Sequence, residues 1–164
     1  MIALALLSLA TVACDHASKM AAANRLAHHE PRAFLAGSIR LEYAENTGGF
    51  LSLGADLPAR SRQAVFIAGT AVLLLLLVVA SVRARRDAMQ LAGMALLVAG
   101  GASNLIDRIS SGRVVDFLSI GIGPVRTGIF NVADVAITIG IAAVLISEPM
   151  NRRSAGTTAK PGAR

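Results

Sequence analysis

Residues 64–82 read AVFIAGTAVLLLLLVVASV, with no charged side chain and an unbroken leucine run from Leu73 to Leu77. A helix rises about 1.5 Å per residue, so about 20 apolar residues cross the ~30 Å hydrocarbon layer of a bilayer. This stretch has that length, and residues 2–26, 89–106 and 129–147 are the other candidates. The expected fold is a mainly α membrane protein with four transmembrane helices. Composition agrees. Of 164 residues, 54% are hydrophobic and 16% charged, and the mean hydropathy is +0.61. A soluble domain carries about 25% charged residues. The chain has too few charges to clothe a soluble surface, which excludes a soluble enzyme and a disordered regulator. A single cysteine, Cys14, excludes an internal disulfide and a cysteine-based metal cluster.

The formal net charge is +6. No nucleic-acid partner is expected, because the bases lie in short loops beside apolar stretches, with no interleaved aromatics to stack on bases. Topology explains them better. Arg83, Arg85 and Arg86 crowd the turn between the second and third spans, and Arg152, Arg153, Lys160 and Arg164 follow the fourth. Bases concentrate on the cytoplasmic side of a membrane, which places both termini and that turn in the cytoplasm. The loop from about His28 to Gln63 faces outward, its bases interleaved with Glu30, Glu42, Glu45 and Asp56. Residues 1–148 read as a single integral-membrane domain, and the polar stretch 149–164 as a disordered cytoplasmic tail. Leu9–Cys14 loosely mimics a lipoprotein processing site but has no basic leader, so Cys14 is read as an ordinary span residue.

The conspicuous polar residues then fall in one outer layer. Asp15 and Lys19 share a face of the first span. Asn104, Asp107 and Arg108 end the third, Asp116 lies in the loop that follows, and Asn131 and Asp134 open the fourth. Ionisable groups at membrane depth are costly and are usually paired or functional. Pairing alone would join Asp15 to Lys19 and Asp107 to Arg108; Asp134 has no base within a turn. Asp116 and Asp134 each interrupt an apolar stretch, and glycines and Pro124 between them let the chain fold back. Two carboxylates at a dry interface do not both ionise easily, and a shared proton makes one a base for water and the other an acid. His28-His29-Glu30 is read as solvated loop, and no metal or organic cofactor is expected.

Asp15-His16-Ala17-Ser18-Lys19, Asn46-Thr47-Gly48-Gly49-Phe50, Gly100 to Arg108, Gly112 to Phe117, and Phe130-Asn131-Val132-Ala133-Asp134 follow in order along the chain. Together they resemble the lipoprotein signal peptidases (signal peptidase II). The resemblance implies an intramembrane aspartic endopeptidase of the bacterial inner membrane, active near the outer face. Its substrate would be a prolipoprotein, cut before the diacylglyceryl-modified cysteine, with membrane lipid as surroundings. It implies Asp116 and Asp134 as the catalytic pair, and Asp15, Lys19, Asn46, Asn104, Arg108 and Asn131 as positioning or substrate-contact residues. It also implies a small β-rich extracytoplasmic cradle with a short helix over the site, and Ser38–Leu53 has strand-like content. Two departures stand out. Ser103 replaces the usual glycine before the asparagine, which would crowd helix packing, and Val135 replaces a small polar residue. A transporter using the same acids would spread polar groups through the bilayer depth, whereas the inner halves of the second and fourth spans are apolar. A non-catalytic lipid-binding scaffold would survive loss of either acid.

Overall fold

The computed structural model describes residues 1–48, 58–83 and 87–157, without the side chains of 82–83 and 148–157. Helix α1 spans Ile2–Leu26, α2 Ala59–Arg83, α3 Ala88–Ser111 and α4 Val132–Thr157. Strands β1 (Arg32–Phe34) and β2 (Ile39–Asn46) lie between α1 and α2, and β3 (Val114–Ile122) and β4 (Val125–Arg126) between α3 and α4. The four strands form one antiparallel sheet in the order β1-β2-β3-β4.

Among the described residues, three helices are long and apolar enough to cross a membrane: Ile2–Leu26, Ala59–Ser81 and Ala88–Ser111. Val132–Ser147 is a shorter apolar stretch. The helices turn large apolar side chains outward, among them Leu6, Leu9, Val72, Leu75, Leu76 and Leu145. The buried set is polar at one end: Asp15, Lys19, Ser103, Asn104, Asp116 and Asn131 are all enclosed. This inversion of the soluble pattern suits a hydrocarbon solvent. Helices there associate through close packing of small residues rather than through burial of apolar area. Helix α3 is central and touches α1, α2 and α4. A Cβ on Gly140 would meet the Gly93 carbonyl oxygen at 2.6 Å, so α3 and α4 cross backbone to backbone.

Helix ends differ from the expected spans for local reasons. The second helix starts at Ala59 rather than Ala64: Pro58 precedes it and accepts from the Arg62 amide, and the polar residues that follow are sound helix formers. The third runs from Ala88 to Ser111 instead of 89–106. Asp87 caps its start, accepting from the Gln90 amide at 2.7 Å, and Gly112 ends it at φ 74°. The fourth starts at Val132, not Ile129, because Phe130 bridges to Leu118 of the sheet. It continues to Thr157, well into the stretch read as a disordered tail; residues 158–164 lie outside the described residues.

The strand content expected over Ser38–Leu53 is β2, up to Asn46. Gly49 and Phe50 lie outside the described residues, as does 51–57. No short helix over the site occurs among the described residues. The expected fold-back after Asp116 is the β3–β4 hairpin, in which Ile122 pairs with Val125 across Gly123 and Pro124. Gly123 has φ 56°, a left-handed conformation that glycine adopts without strain.

Candidate active site

Each acid is delivered by a different kind of element. Asp116 lies on β3, flanked by inward-facing Val114, and Ala44 of β2 is its direct partner in the ladder. Asn46 opposes Val114, so Asn46 and Asp116 are diagonal neighbours on one face. The Asn46 Nδ2 donates to Asp116 Oδ2 at 3.0 Å. Asp134 lies in the first turn of α4, where Asn131-Val132-Ala133-Asp134 forms a reciprocal capping box. The Asp134 amide donates to Asn131 Oδ1 at 3.0 Å, and the Asn131 amide donates to Asp134 Oδ2 at 3.1 Å. Asn131 also ties the two acids together, because its Nδ2 donates to Asp116 Oδ1 at 2.6 Å.

Behind the acids lies a buried ionic cluster. Lys19 Nζ has three donors and three acceptors: Asp15 Oδ2 at 2.6 Å, Asp107 Oδ2 at 2.6 Å and Asn104 Oδ1 at 2.9 Å. Asp15 and Lys19 therefore do pair. Asp107 does not pair with Arg108; Lys19 takes that place, and His16 Nδ1 stands 3.8 Å from Asp107 Oδ1. Neighbours in a helix sequence point about 100° apart, whereas α1 lays Lys19 directly against the Asp107 face of α3. A lysine offers only donors, so it turns the Asn104 carbonyl toward itself and leaves the Asn104 Nδ2 to donate to Asp134 Oδ1 at 3.0 Å. The cluster thus fixes the orientation of an amide that feeds one of the acids.

Arg108 reaches the other way. Its Nη2 donates to the Gly48 backbone carbonyl at 2.9 Å and its Nη1 to the Asn104 backbone carbonyl at 3.2 Å. Its guanidinium carbon stands 5.9 Å from the Phe66 ring centroid, within cation–π range. Its Nε is buried with no hydrogen-bond partner among the described residues.

A cleft of about 740 Å³ opens in front of these groups. Asn46, Asn104, Arg108, Asp116 and Asp134 line its polar end, and Phe66, Leu73, Leu74, Leu77, Ile137 and Ile141 of α2 and α4 line the rest. Of the expected site residues, Asp15, Lys19 and Asn131 are not in its wall; they stand behind it. Val135 is part of the wall. Burial pushes the Asp116 carboxyl up to about 6, and the neighbouring charge of Asp134 adds to the rise; the amides of Asn46 and Asn131 partly oppose it. Among the described residues, no three His, Cys, Asp or Glu side chains gather so as to hold a metal ion.

Ser103 did not figure among the expected site residues. Its Oγ donates to Asp15 Oδ2 at 2.7 Å and the residue is fully buried. The available sequence signal is spacing: Ser103 lies three residues after Gly100 and four before Asp107, on one face of α3.

The profile of the signal peptidase (SPase) II family matches residues 7–149. The chain belongs to the signal peptidase II family. A lipoprotein signal peptidase of Desulforapulum autotrophicum is 35% identical, the match covering 86% of this chain and 88% of that one. One from Syntrophus aciditrophicus is 32% identical over 80% and 83%. Two solved bacterial membrane enzymes share the fold. One has a TM-score of 0.81 at 23% identity over 99% of this chain and 96% of its own. The other has a TM-score of 0.79 at 26% identity over 90% and 92%. As a signal peptidase II the chain is a protease of lipoprotein processing, with apolar helices that fit a membrane.

Proposed function

We propose that this signal peptidase II is an intramembrane aspartic endopeptidase, cutting the peptide bond before the diacylglyceryl-modified cysteine of a prolipoprotein, with Asp116 and Asp134 as the catalytic pair. One observation carries the reading. Two acids from separate elements meet at the polar end of an apolar cleft, and Asn131 hydrogen-bonds both.

The pair holds one proton. In the active form Asp116, whose carboxyl burial pushes up to about 6, carries that proton, and Asp134 takes a proton from the attacking water. The water oxygen bonds to the scissile carbonyl carbon while the Asp116 proton passes to the carbonyl oxygen. The resulting gem-diol returns a proton to Asp116 as the C–N bond breaks, and Asp134 gives its proton to the departing cysteine amine. The signal peptide leaves with a new carboxyl group and the lipoprotein with a new amino terminus. No metal or organic cofactor takes part in this scheme.

The cleft supports the choice of bond. Its long apolar wall suits acyl chains entering from the bilayer, while Asn46, Asn104 and the Arg108 Nε–H, unpartnered among the described residues, offer polar contacts to the peptide at the other end. An unpaired buried donor costs about 1–3 kcal/mol, so a substrate carbonyl that satisfies it gains binding energy. Asp15, Lys19 and Asn131 act through other residues: they orient Asn104 and the first turn of α4.

In this reading α4 is the fourth span and residues 1–148 form one integral-membrane peptidase domain. The enzyme sits in the bacterial inner membrane with both termini cytoplasmic and the site near the outer face; membrane lipid is its surroundings and nucleic acid no partner. The test is incubation of the purified protein with a diacylglyceryl-modified prolipoprotein. A cleaved signal peptide should appear on a gel, and none should appear with Asp116→Asn or Asp134→Asn.

A further inference from the structure

The geometry points to Ser103 as a positioning residue for this cleavage: through Asp15, its hydroxyl fixes the turn of α4 that presents Asp134. The inference rests on the catalytic reading of Asp134 given above. It starts from the peptide backbone at Ala133, which is fully buried. Helix α3 grips that residue twice. At its carbonyl, Gly100 lies so close that a Cβ there would meet the Ala133 oxygen at 2.5 Å. At its amide, the contact is made through Asp15, whose Oδ1 accepts from the Ala133 N–H at 2.8 Å. Asp15 comes from α1, and its carboxylate can rotate about its own bond. Two donors stop that rotation, both on Oδ2: Lys19 Nζ at 2.6 Å from the same helix, and Ser103 Oγ at 2.7 Å from α3. Lys19 alone ties Asp15 only to its own helix and to the Asn104–Asp107 end of α3. Ser103 is the link from the carboxylate straight to the face of α3 that also carries Gly100, three residues earlier. Asp134 follows Ala133 directly, so the height of its carboxylate depends on this grip.

A positioned group off by about 1 Å can cost as much as 10²-fold in rate. Loss of one of several holding bonds should cost less. In detergent-purified full-length protein acting on a diacylglyceryl-modified prolipoprotein, Ser103→Ala should lower kcat about five- to tenfold with KM changed less than about twofold. Ser103→Cys keeps nearly the same volume and a weak S–H donor, and should fall between Ala and Ser. Ser147→Ala is the control: it removes another buried hydroxyl, bonded to the Val144 carbonyl far along α4, and should leave kcat within about twofold. Hydrogen exchange read by mass spectrometry on the peptide spanning Asn131–Asp134 should quicken at least about threefold in Ser103→Ala and stay unchanged in Ser147→Ala. An unchanged kcat in Ser103→Ala, an equal loss in Ser147→Ala, or unaltered exchange at Asn131–Asp134 would overturn the assignment. Turnover by Asp134→Asn in the same assay would instead remove the catalytic reading, leaving the exchange result to judge the grip on its own.

Discussion

Replacing Asn46 with alanine should move one limb of the pH–rate profile upward. In the proposed mechanism Asp116 is the member of the pair that holds the proton, and burial pushes its carboxyl up to about 6. As pH rises through that value the proton leaves, both acids carry charge, and kcat/KM falls on the alkaline side. The Asn46 Nδ2 donates to Asp116 Oδ2 at 3.0 Å, a bond that favours the charged form. A hydrogen bond to a charged group is worth about 1.5–3 kcal/mol, and one pH unit corresponds to about 1.36 kcal/mol. Removing it should therefore raise the alkaline limb by about one pH unit or somewhat more. At pH 7 the protonated fraction then grows from about one-tenth to about one-half, a roughly fivefold gain relative to the variant's own plateau. Asn46 also lines the cleft, so the plateau itself should drop, but loss of a substrate contact lowers the whole profile without displacing the limb. The assay is kcat/KM for a lipidated prolipoprotein between pH 5 and 9 in one detergent, with gel-resolved product. A limb that stays put or moves down would refute the link from Asn46 to Asp116. A rate that climbs through pH 6 in the wild type would mean that Asp116 works as the base.

Four further outcomes are expected. Asp116→Asn and Asp134→Asn should each lower turnover by about 10²–10⁴ while circular dichroism, the practical probe in a chain without tryptophan, shows an unchanged helix signal. Arg108→Ala and Asn104→Ala should reduce processing by at least about tenfold, and an unlipidated precursor should stay uncut by wild type; equal cutting of lipidated and unlipidated precursors would contradict depth-set recognition. Gly100→Ala should destabilise the protein by more than about 2 kcal/mol, read as a lowered thermal midpoint, because its Cβ meets backbone rather than a flexible side chain. A cysteine at Arg85 in a Cys14→Ala background should resist an impermeant thiol reagent in intact cells; ready labelling would reverse the topology.

Much of this arrangement is legible in the chain because its signals are local. The leucine run at 73–77 marks α2 by composition alone, and Gly123-Pro124 marks the hairpin that turns β3 back. The acids stand out because each interrupts apolar sequence. The capping box at Asn131–Asp134 is equally local; with the Phe130–Leu118 bridge it sets the fourth helix starting three residues later than hydropathy suggests. Partnerships across helices are a different matter. Asp107 has Arg108 beside it in sequence yet bonds Lys19, a choice set by the register of α1 against α3. Ser103 reads as an intrusion where glycine is usual, and only the approach of Asp15 from 88 residues away gives its hydroxyl a task. Whether a residue stands in the cleft wall or behind it, as with Asn104 and Lys19, depends on helix rotation, which a list of polar positions does not encode.

The single amide of Asn131 spans from a strand to a helix, and this has a mechanical consequence. It grips Asp116 on β3 and, through its own backbone and carbonyl, Asp134 on α4. Such a tie rod sets the spacing of the two acids independently of what the rest of the sheet does. A sheet pivoting about that pin would lift its outer edge, β1 and the β3–β4 tip, by much more than it would part the carboxylates. That far rim does not line the cleft, so it can vary in length and composition while the reacting distance stays the same.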